Sequence, residues 1–276
     1  MTLLLIGLVF SIVSTLIFYL YVIKNWMLIL VFVLSFIVFV LLFLLSAYII
    51  ALTNKIERKD SEGKIIKIKP KKIYKYYTYL TCSFLKIFFR VKVNLVNKNL
   101  IPKDEPFLLV CNHQSLMDPI IIMASTKRVD IYYIMKKQIR KIPIVGRWLK
   151  EAGYYYLDRD NNREGLKLIL DCINDLKNGK NVGLFIEGTR SKGPNLGHFH
   201  DASLKLALKS KVKVLVACVD DCYKIKKNYP FKKSKVLLKF CEVIDYNEYS
   251  SLSTIELGEK IKEIIQTNLD MERNKK

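Results

Sequence analysis

The first 54 residues carry a single charge, Lys24. The stretches on either side of it, 1–23 and 25–54, each exceed the roughly 20 apolar residues that cross a bilayer core of about 30 Å. A secretory signal would open on basic residues, carry a shorter apolar core and end at small residues, and Met1–Thr2 supplies no basic start. Buried core helices are the other reading, but a water-soluble domain has little room for such a long uncharged run. The expectation is an N-terminal transmembrane helical hairpin over 1–52, turning near Lys24–Asn25–Trp26.

Charge then sets the orientation. Lys55, Arg58, Lys59, Lys64, Lys67, Lys69, Lys71 and Lys72 crowd behind the second apolar run, against the one lysine of the turn. Basic residues beside membrane spans stay on the cytoplasmic side, so an integral protein of the cell membrane with its bulk on the cytoplasmic face is expected. The formal charge of +21 lies almost wholly beyond the apolar segment. Such an excess attracts polyanions, and behind a membrane anchor an anionic membrane surface is the nearer partner than nucleic acid, which is not expected. The six cysteines, at 82, 111, 172, 218, 222 and 241, form no CxxC pair and no zinc spacing with histidine, which points to reduced structural thiols.

Residues 53–91 read as a basic linker followed by an amphipathic helix. In IYKYYTYLTCSFLKIFFRV, Ile73, Tyr76, Tyr77, Leu80, Phe84, Ile87 and Phe88 share one helical stripe flanked by lysines and tyrosines. A helix lying in the membrane interface and a helix packed on the following domain both fit that pattern. From 92 to 276 apolar runs alternate with amphipathic segments. FLLVC at 107–111, Val182–Ile186, 212–219 and 235–244 read as strands. Residues 162–177, closed by Asn178–Gly179, and 254–268 read as helices, and Asp118–Pro119 reads as the N-cap and first turn of another. The fold class expected is α/β, a central sheet flanked by helices.

In such a sheet functional residues collect at the carboxyl ends of strands. His113 and Glu187–Arg190 both follow strand-like runs. A histidine titrates near neutrality and suits a general base, and Asp118 five residues on could fix its tautomer. Taken alone, the pair is more readily a helix cap and a loop histidine. In EGTR a glycine admits close backbone approach and Arg190 can bind phosphate in bidentate fashion, while Asp158–Arg159 offers a second arginine after another strand-like run.

Three blocks in order, NHQSLMD (112–118), KKQIRKIPIVGRWLKEAGYYYLDR (136–159) and FIEGTRSKG (185–193), resemble the 1-acyl-sn-glycerol-3-phosphate acyltransferases over roughly residues 90 to 220. The resemblance implies a glycerolipid acyltransferase-like domain over 92–276, with His113 as general base toward the sn-2 hydroxyl of lysophosphatidic acid and Asp118 orienting it. It implies Lys136, Arg159 and Arg190 as ligands of the substrate phosphate, and Glu187, Gly188 and Thr189 as the motif shaping the acceptor site, with Asn112 and Ser115 structural. It implies an acyl thioester, acyl-CoA or acyl-acyl carrier protein, as co-substrate, a membrane lipid as acceptor, and no cofactor or metal. His198-Phe199-His200-Asp201 has no complementary ligand set. Ile186 stands where the family usually has proline, and Lys213–Val219 lacks the prolines of its fourth block. Acylation of another lysolipid or of glycerol 3-phosphate, and a non-catalytic basic membrane tether, are the alternative functions, the last at odds with the intact His113/Asp118 and EGTR blocks.

Overall fold

The computed structural model describes residues 2–21, 26–53, 57–59, 65–67, 70, 72–127, 129–158 and 161–275. In chain order the elements are α1 (Thr2–Tyr21), α2 (Trp26–Thr53), β1 (Glu57–Lys59), β2 (Ile65–Lys67), α3 (Lys72–Phe88), β3 (Val91–Val96), β4 (Phe107–Cys111), α4 (Met117–Ser125), β5 (Ile131–Lys136), α5 (Val145–Glu151), β6 (Tyr155–Leu157) and α6 (Asn162–Lys177). They continue with β7 (Asn181–Phe185), α7 (Lys205–Ser210), β8 (Lys213–Asp220), α8 (Ile225–Asn228), β9 (Ser234–Ile244), α9 (Tyr246–Tyr249) and α10 (Thr254–Arg273). The chain forms two compact units, 1–80 with 140–153, and 81–139 with 154–276.

In the first unit α1 and α2 are apolar helices in mutual contact. A Cβ at Gly7 would lie 2.6 Å from the Phe39 ring, so the helices approach there only because residue 7 has no side chain. Met27–Thr53 is long and apolar enough to cross a membrane, while Leu5–Tyr19 is a shorter apolar stretch. Lys24 and Asn25, the expected turn, lie outside the described residues, as does most of the basic linker. Tyr77 stacks on Phe43 of α2 with ring centroids 5.1 Å apart, and its hydroxyl lies 3.2 Å from Ser46 Oγ. Trp148 of α5 packs against Tyr74 and Tyr77 and donates its indole N–H to Thr78 Oγ1 at 3.1 Å. These ring contacts explain why 140–153 groups with the N-terminal helices, although by sequence it lies within 92–276.

Along α3, Tyr74, Leu80 and Cys82 are buried, whereas Tyr76, Ile87 and Phe88 are exposed. The apolar stripe is therefore divided. Leu80 belongs to packing, and Ile87 and Phe88 at the end of the helix remain outside.

The second unit is built on a seven-stranded sheet ordered β3-β9-β8-β4-β7-β5-β6, parallel except for the β8–β9 pair. Every residue of β4 is buried. Leu108 and Val110 join Cys172, Leu176, Ile261 and Ile265 in one core cluster, while Phe107, Leu109 and Cys111 join Ile121, Ile122 and Phe240 in another. A strand covered on both faces has no polar side, which is why FLLVC reads as an unbroken apolar run. The helices are bounded by local signals. The Asn161 side chain accepts the Glu164 N–H to start α6, Gly179 at φ 85° follows its end, and Ser253 with Glu256 forms a capping box on α10.

The chain leaves β4 toward β5 on one side and leaves β7 toward β8 on the other. Four parallel neighbours, β8, β4, β7 and β5, thereby end on one edge of the sheet. An α/β sheet holds its ligands at such a crossing of connections.

Candidate active site

His113 lies two residues beyond β4. Its Nδ1 is 2.7 Å from Asp118 Oδ2, and the same oxygen accepts the backbone N–H groups of Gln114 at 2.7 Å and Ser115 at 2.8 Å. Helix α4 starts at Met117 with Leu116 as its N-cap, so Asp118 is not the cap that its place before proline implied. It sits within the first turn and reaches back over the preceding loop, which leaves the carboxylate facing the histidine. An oxygen already facing two N–H donors is an acceptor, so the ring proton belongs on Nδ1 and the lone pair on Nε2. The Asp118 side chain is fully buried while His113 is 17% exposed, so the ring can be reached and its partner cannot. Asp118 Oδ1 is buried without a hydrogen-bond partner among the described residues. Burial and the Asp118 charge push the nearby Cys222 thiol well up, so it stays a neutral neighbour. The six cysteines form no disulfide among the described residues, and five of them are buried.

The segment after β7 clasps the histidine peptide. Glu187 Oε1 accepts the His113 N–H at 2.7 Å, and the Ser191 N–H donates to the His113 carbonyl at 2.8 Å. Glu187 Oε2 accepts the Gly197 N–H at 2.7 Å, and a side chain at Gly197 would collide with that oxygen. Burial holds the Glu187 carboxyl above the usual glutamate range, with the His113 and Gly197 N–H donors pulling the other way. Gly188, at φ 61°, turns the chain immediately after it. Ile186 donates its N–H to the Cys111 carbonyl at 3.2 Å, a ladder bond that the family's usual proline could not make. The His113 ring stacks on Phe185 at 4.2 Å and Phe185 on Tyr133 at 5.4 Å, with Gly183 leaving room for the Tyr133 ring. Glu187 thus shapes the site by fixing His113. Glu187→Gln would set an amide N–H against one of these backbone donors, which costs about 1–3 kcal/mol. We expect it to lower kcat by about 10-fold or more with KM little changed, read from initial rates beside a thermal melt.

Other anchors reach this loop from far along the chain. The Asn112 amide pairs with Val219 in both directions, at 3.0 and 2.8 Å. Gln114 accepts the Cys222 N–H at 3.1 Å and donates to Asp220 Oδ1 at 3.2 Å. Arg273, at the end of α10, grips Asp220 through Nε and Nη2 at 2.9 and 2.8 Å and also donates to the Pro194 carbonyl at 2.6 Å. One arginine therefore ties α10, the end of β8 and the loop beyond EGTR to the histidine loop. The rule that sites gather at strand ends could have flagged Asp220; nothing local flags Arg273.

Lys136 ends β5 on the same sheet edge and is exposed, as are Thr189 and Arg190. Its neighbour Lys137 is held by Asp158 at 2.6 Å and Glu164 at 3.1 Å, carboxylates that raise its pKa. Arg159 lies outside the described residues. The structure thus gathers His113, Asp118 and the EGTR segment into one site, with Lys136 on the same edge. Among the described residues no cluster of His, Cys, Asp and Glu is placed to hold a metal ion.

Residues 92–220 match the Acyltransferase family model. That segment is similar to the acyltransferase family. The resemblance read from the three sequence blocks is borne out over that span. A 1-acyl-sn-glycerol-3-phosphate acyltransferase of Borreliella burgdorferi is 28% identical over 125 residues, 45% of this chain and 50% of that protein. A chloroplastic enzyme of the same name from Arabidopsis thaliana is 34% identical over 125 residues, 45% of this chain and 35% of its own length. The chain thus spans half or less of the length of these two curated relatives. The crystal structure of PlsC, the 1-acyl-sn-glycerophosphate acyltransferase of Thermotoga maritima, superposes with a TM-score of 0.60 at 27% identity, covering 84% of this chain and 95% of that one. Both the histidine loop and the EGTR clasp lie inside the acyltransferase segment.

Proposed function

We propose that this protein acylates the sn-2 hydroxyl of lysophosphatidic acid from an acyl thioester, acyl-CoA or acyl-acyl carrier protein, to give phosphatidic acid for phospholipid synthesis. The observation that carries the reading is the His113–Asp118 pair, its Nδ1 held at 2.7 Å and its peptide clasped by Glu187 and Ser191. His113 Nε2 takes the proton of the sn-2 hydroxyl as its oxygen attacks the thioester carbonyl. The carbon–sulfur bond then breaks, and the leaving thiolate takes the proton back from the imidazolium. Asp118 stabilises that imidazolium from its buried position. No further cofactor enters the scheme. General base catalysis accounts for about 10²–10⁴ of such a rate, so holding hydroxyl and thioester side by side supplies much of the remainder.

Lys136, Arg159 and Arg190 bind the acceptor phosphate in this scheme, and Gly188 and Thr189 border it. The apolar helices anchor the chain as an integral protein of the cell membrane, and the basic residues 55–72 keep the catalytic unit on the cytoplasmic face. An acceptor whose tail stays in the bilayer spares the exposure of each methylene to water, about 0.8 kcal/mol apiece. The test is phosphatidic acid formation by the purified full chain, with acyl-CoA and acyl-acyl carrier protein supplied in separate assays. No product with either donor would end the proposal. Arg190→Ala should raise the KM for lysophosphatidic acid by about 10-fold, as loss of a charge-assisted contact does, and should not affect a monoacylglycerol acceptor. Equal losses on both acceptors would make Arg190 structural.

A further inference from the structure

Between Asp221 and Glu242 the chain carries seven lysines and no acidic residue. The middle of this stretch, NYPFKK, puts Phe231 at 86% exposure, more than any other large apolar side chain among the described residues. Its backbone is nevertheless held. Arg90 donates to the Pro230 and Phe231 carbonyls at 2.7 and 3.3 Å, the Lys232 N–H donates to the Asn228 carbonyl at 2.7 Å, and Ile225 is buried at the root. The Tyr229 ring packs on Phe88 at 5.4 Å and Phe89 at 5.0 Å, which joins this loop to the exposed end of α3 at Ile87 and Phe88. Around these apolar residues Lys226, Lys227, Lys232 and Lys233 are exposed. The patch shares no residue with the histidine site and lies outside the acyltransferase segment.

Water gains nothing from a phenylalanine held open among lysines. A negatively charged bilayer does: phosphates of the headgroup layer neutralise the lysines while Phe231, Ile87 and Phe88 enter the layer beneath. Phe231 and Phe88 could also stack on bases, but the exposed aliphatic Ile87 suits an acyl layer and not a base. We propose that Phe231 with its lysines, together with Ile87 and Phe88, is a docking surface by which the catalytic unit seats itself on an anionic leaflet, independently of the apolar helices α1 and α2. Its use in catalysis rests on the lysophosphatidic acid reading; the docking itself does not.

The test uses the full chain in nanodiscs, with Lys233→Cys bearing an environment-sensitive NBD label in a Cys241→Ser background. The label should shift to the blue, and be quenched by doxyl lipid, in discs containing phosphatidylglycerol but not in discs of phosphatidylcholine alone. Adding Lys226→Gln, Lys227→Gln, Lys232→Gln and Phe231→Ser should abolish the response. The same changes should cost roughly 10-fold in turnover of lysophosphatidic acid in the anionic discs, with detergent-micelle turnover kept within about two-fold. A label that responds equally in both lipids or in neither, or that answers only to RNA or to an acidic carrier protein, overturns the proposal. So does an equal loss of turnover in micelles, which would make the loop part of the packing. A label that seats in anionic discs on a chain that makes no phosphatidic acid would uphold the docking and end the proposed reaction.

Discussion

Replacing His113 by alanine should leave a folded, membrane-associated protein whose kcat for phosphatidic acid formation has dropped by about 10²–10⁴. The fold should survive because the clasp uses the main chain: the residue 113 N–H still meets Glu187 and its carbonyl still meets Ser191. Asp118 Oδ2 also keeps the Gln114 and Ser115 N–H donors. What disappears is the one group on this loop able to take a proton from a hydroxyl. Single-turnover measurements with saturating thioester read the chemical step directly. A variant within a few-fold of the parent would sink the catalytic assignment, and a collapsed melting curve would show that the ring is a packing element.

Asp118→Asn comes next in size. The asparagine carbonyl can take the place of Oδ2 and accept the same three donors, so the histidine need not move. Its amide nitrogen then occupies the site of Oδ1, which is buried and has no hydrogen-bond partner among the described residues. Two costs follow: an orphaned donor worth about 1–3 kcal/mol of stability, and loss of the negative charge facing the imidazolium. Removing one such electrostatic contact lowers kcat by about 10²–10³, and KM for either substrate should change little. A loss confined to KM would mean that Asp118 arranges the binding surface and leaves the proton to others.

The elements legible in the sequence are those whose cause is local. An apolar run of five gives β4, and an asparagine cap with a closing Asn–Gly brackets α6. The histidine–aspartate pair was also legible, though its geometry was not: pattern makes Asp118 a cap, and only the start of the helix at Met117 frees its side chain to turn back. Glu187 reads as part of a ligand-binding motif, but its two oxygens are taken by the backbone of His113 and Gly197, 74 and 10 residues away. Lys136 and Lys137 look alike in the sequence. They differ because Asp158 and Glu164 meet only the second. The α3 stripe and the partners of 140–153 stayed open for a related reason: periodicity shows that a face is apolar, not what will cover it.

Arg273 gives this architecture a schedule. A ribosome delivers the apolar helices before any strand of the sheet, and residue 273 after all of them. Strand β3 waits for β9, its one sheet partner among the described residues, and the histidine loop waits for the Asp220–Arg273 grip. At roughly 5–20 residues per second, the apolar segment has many seconds to enter a bilayer while the loop beside β4 is still unlocked. On the proposed reading the nascent chain is therefore membrane-bound long before its histidine loop is locked, and a half-made copy would consume no thioester at the surface where it is being built.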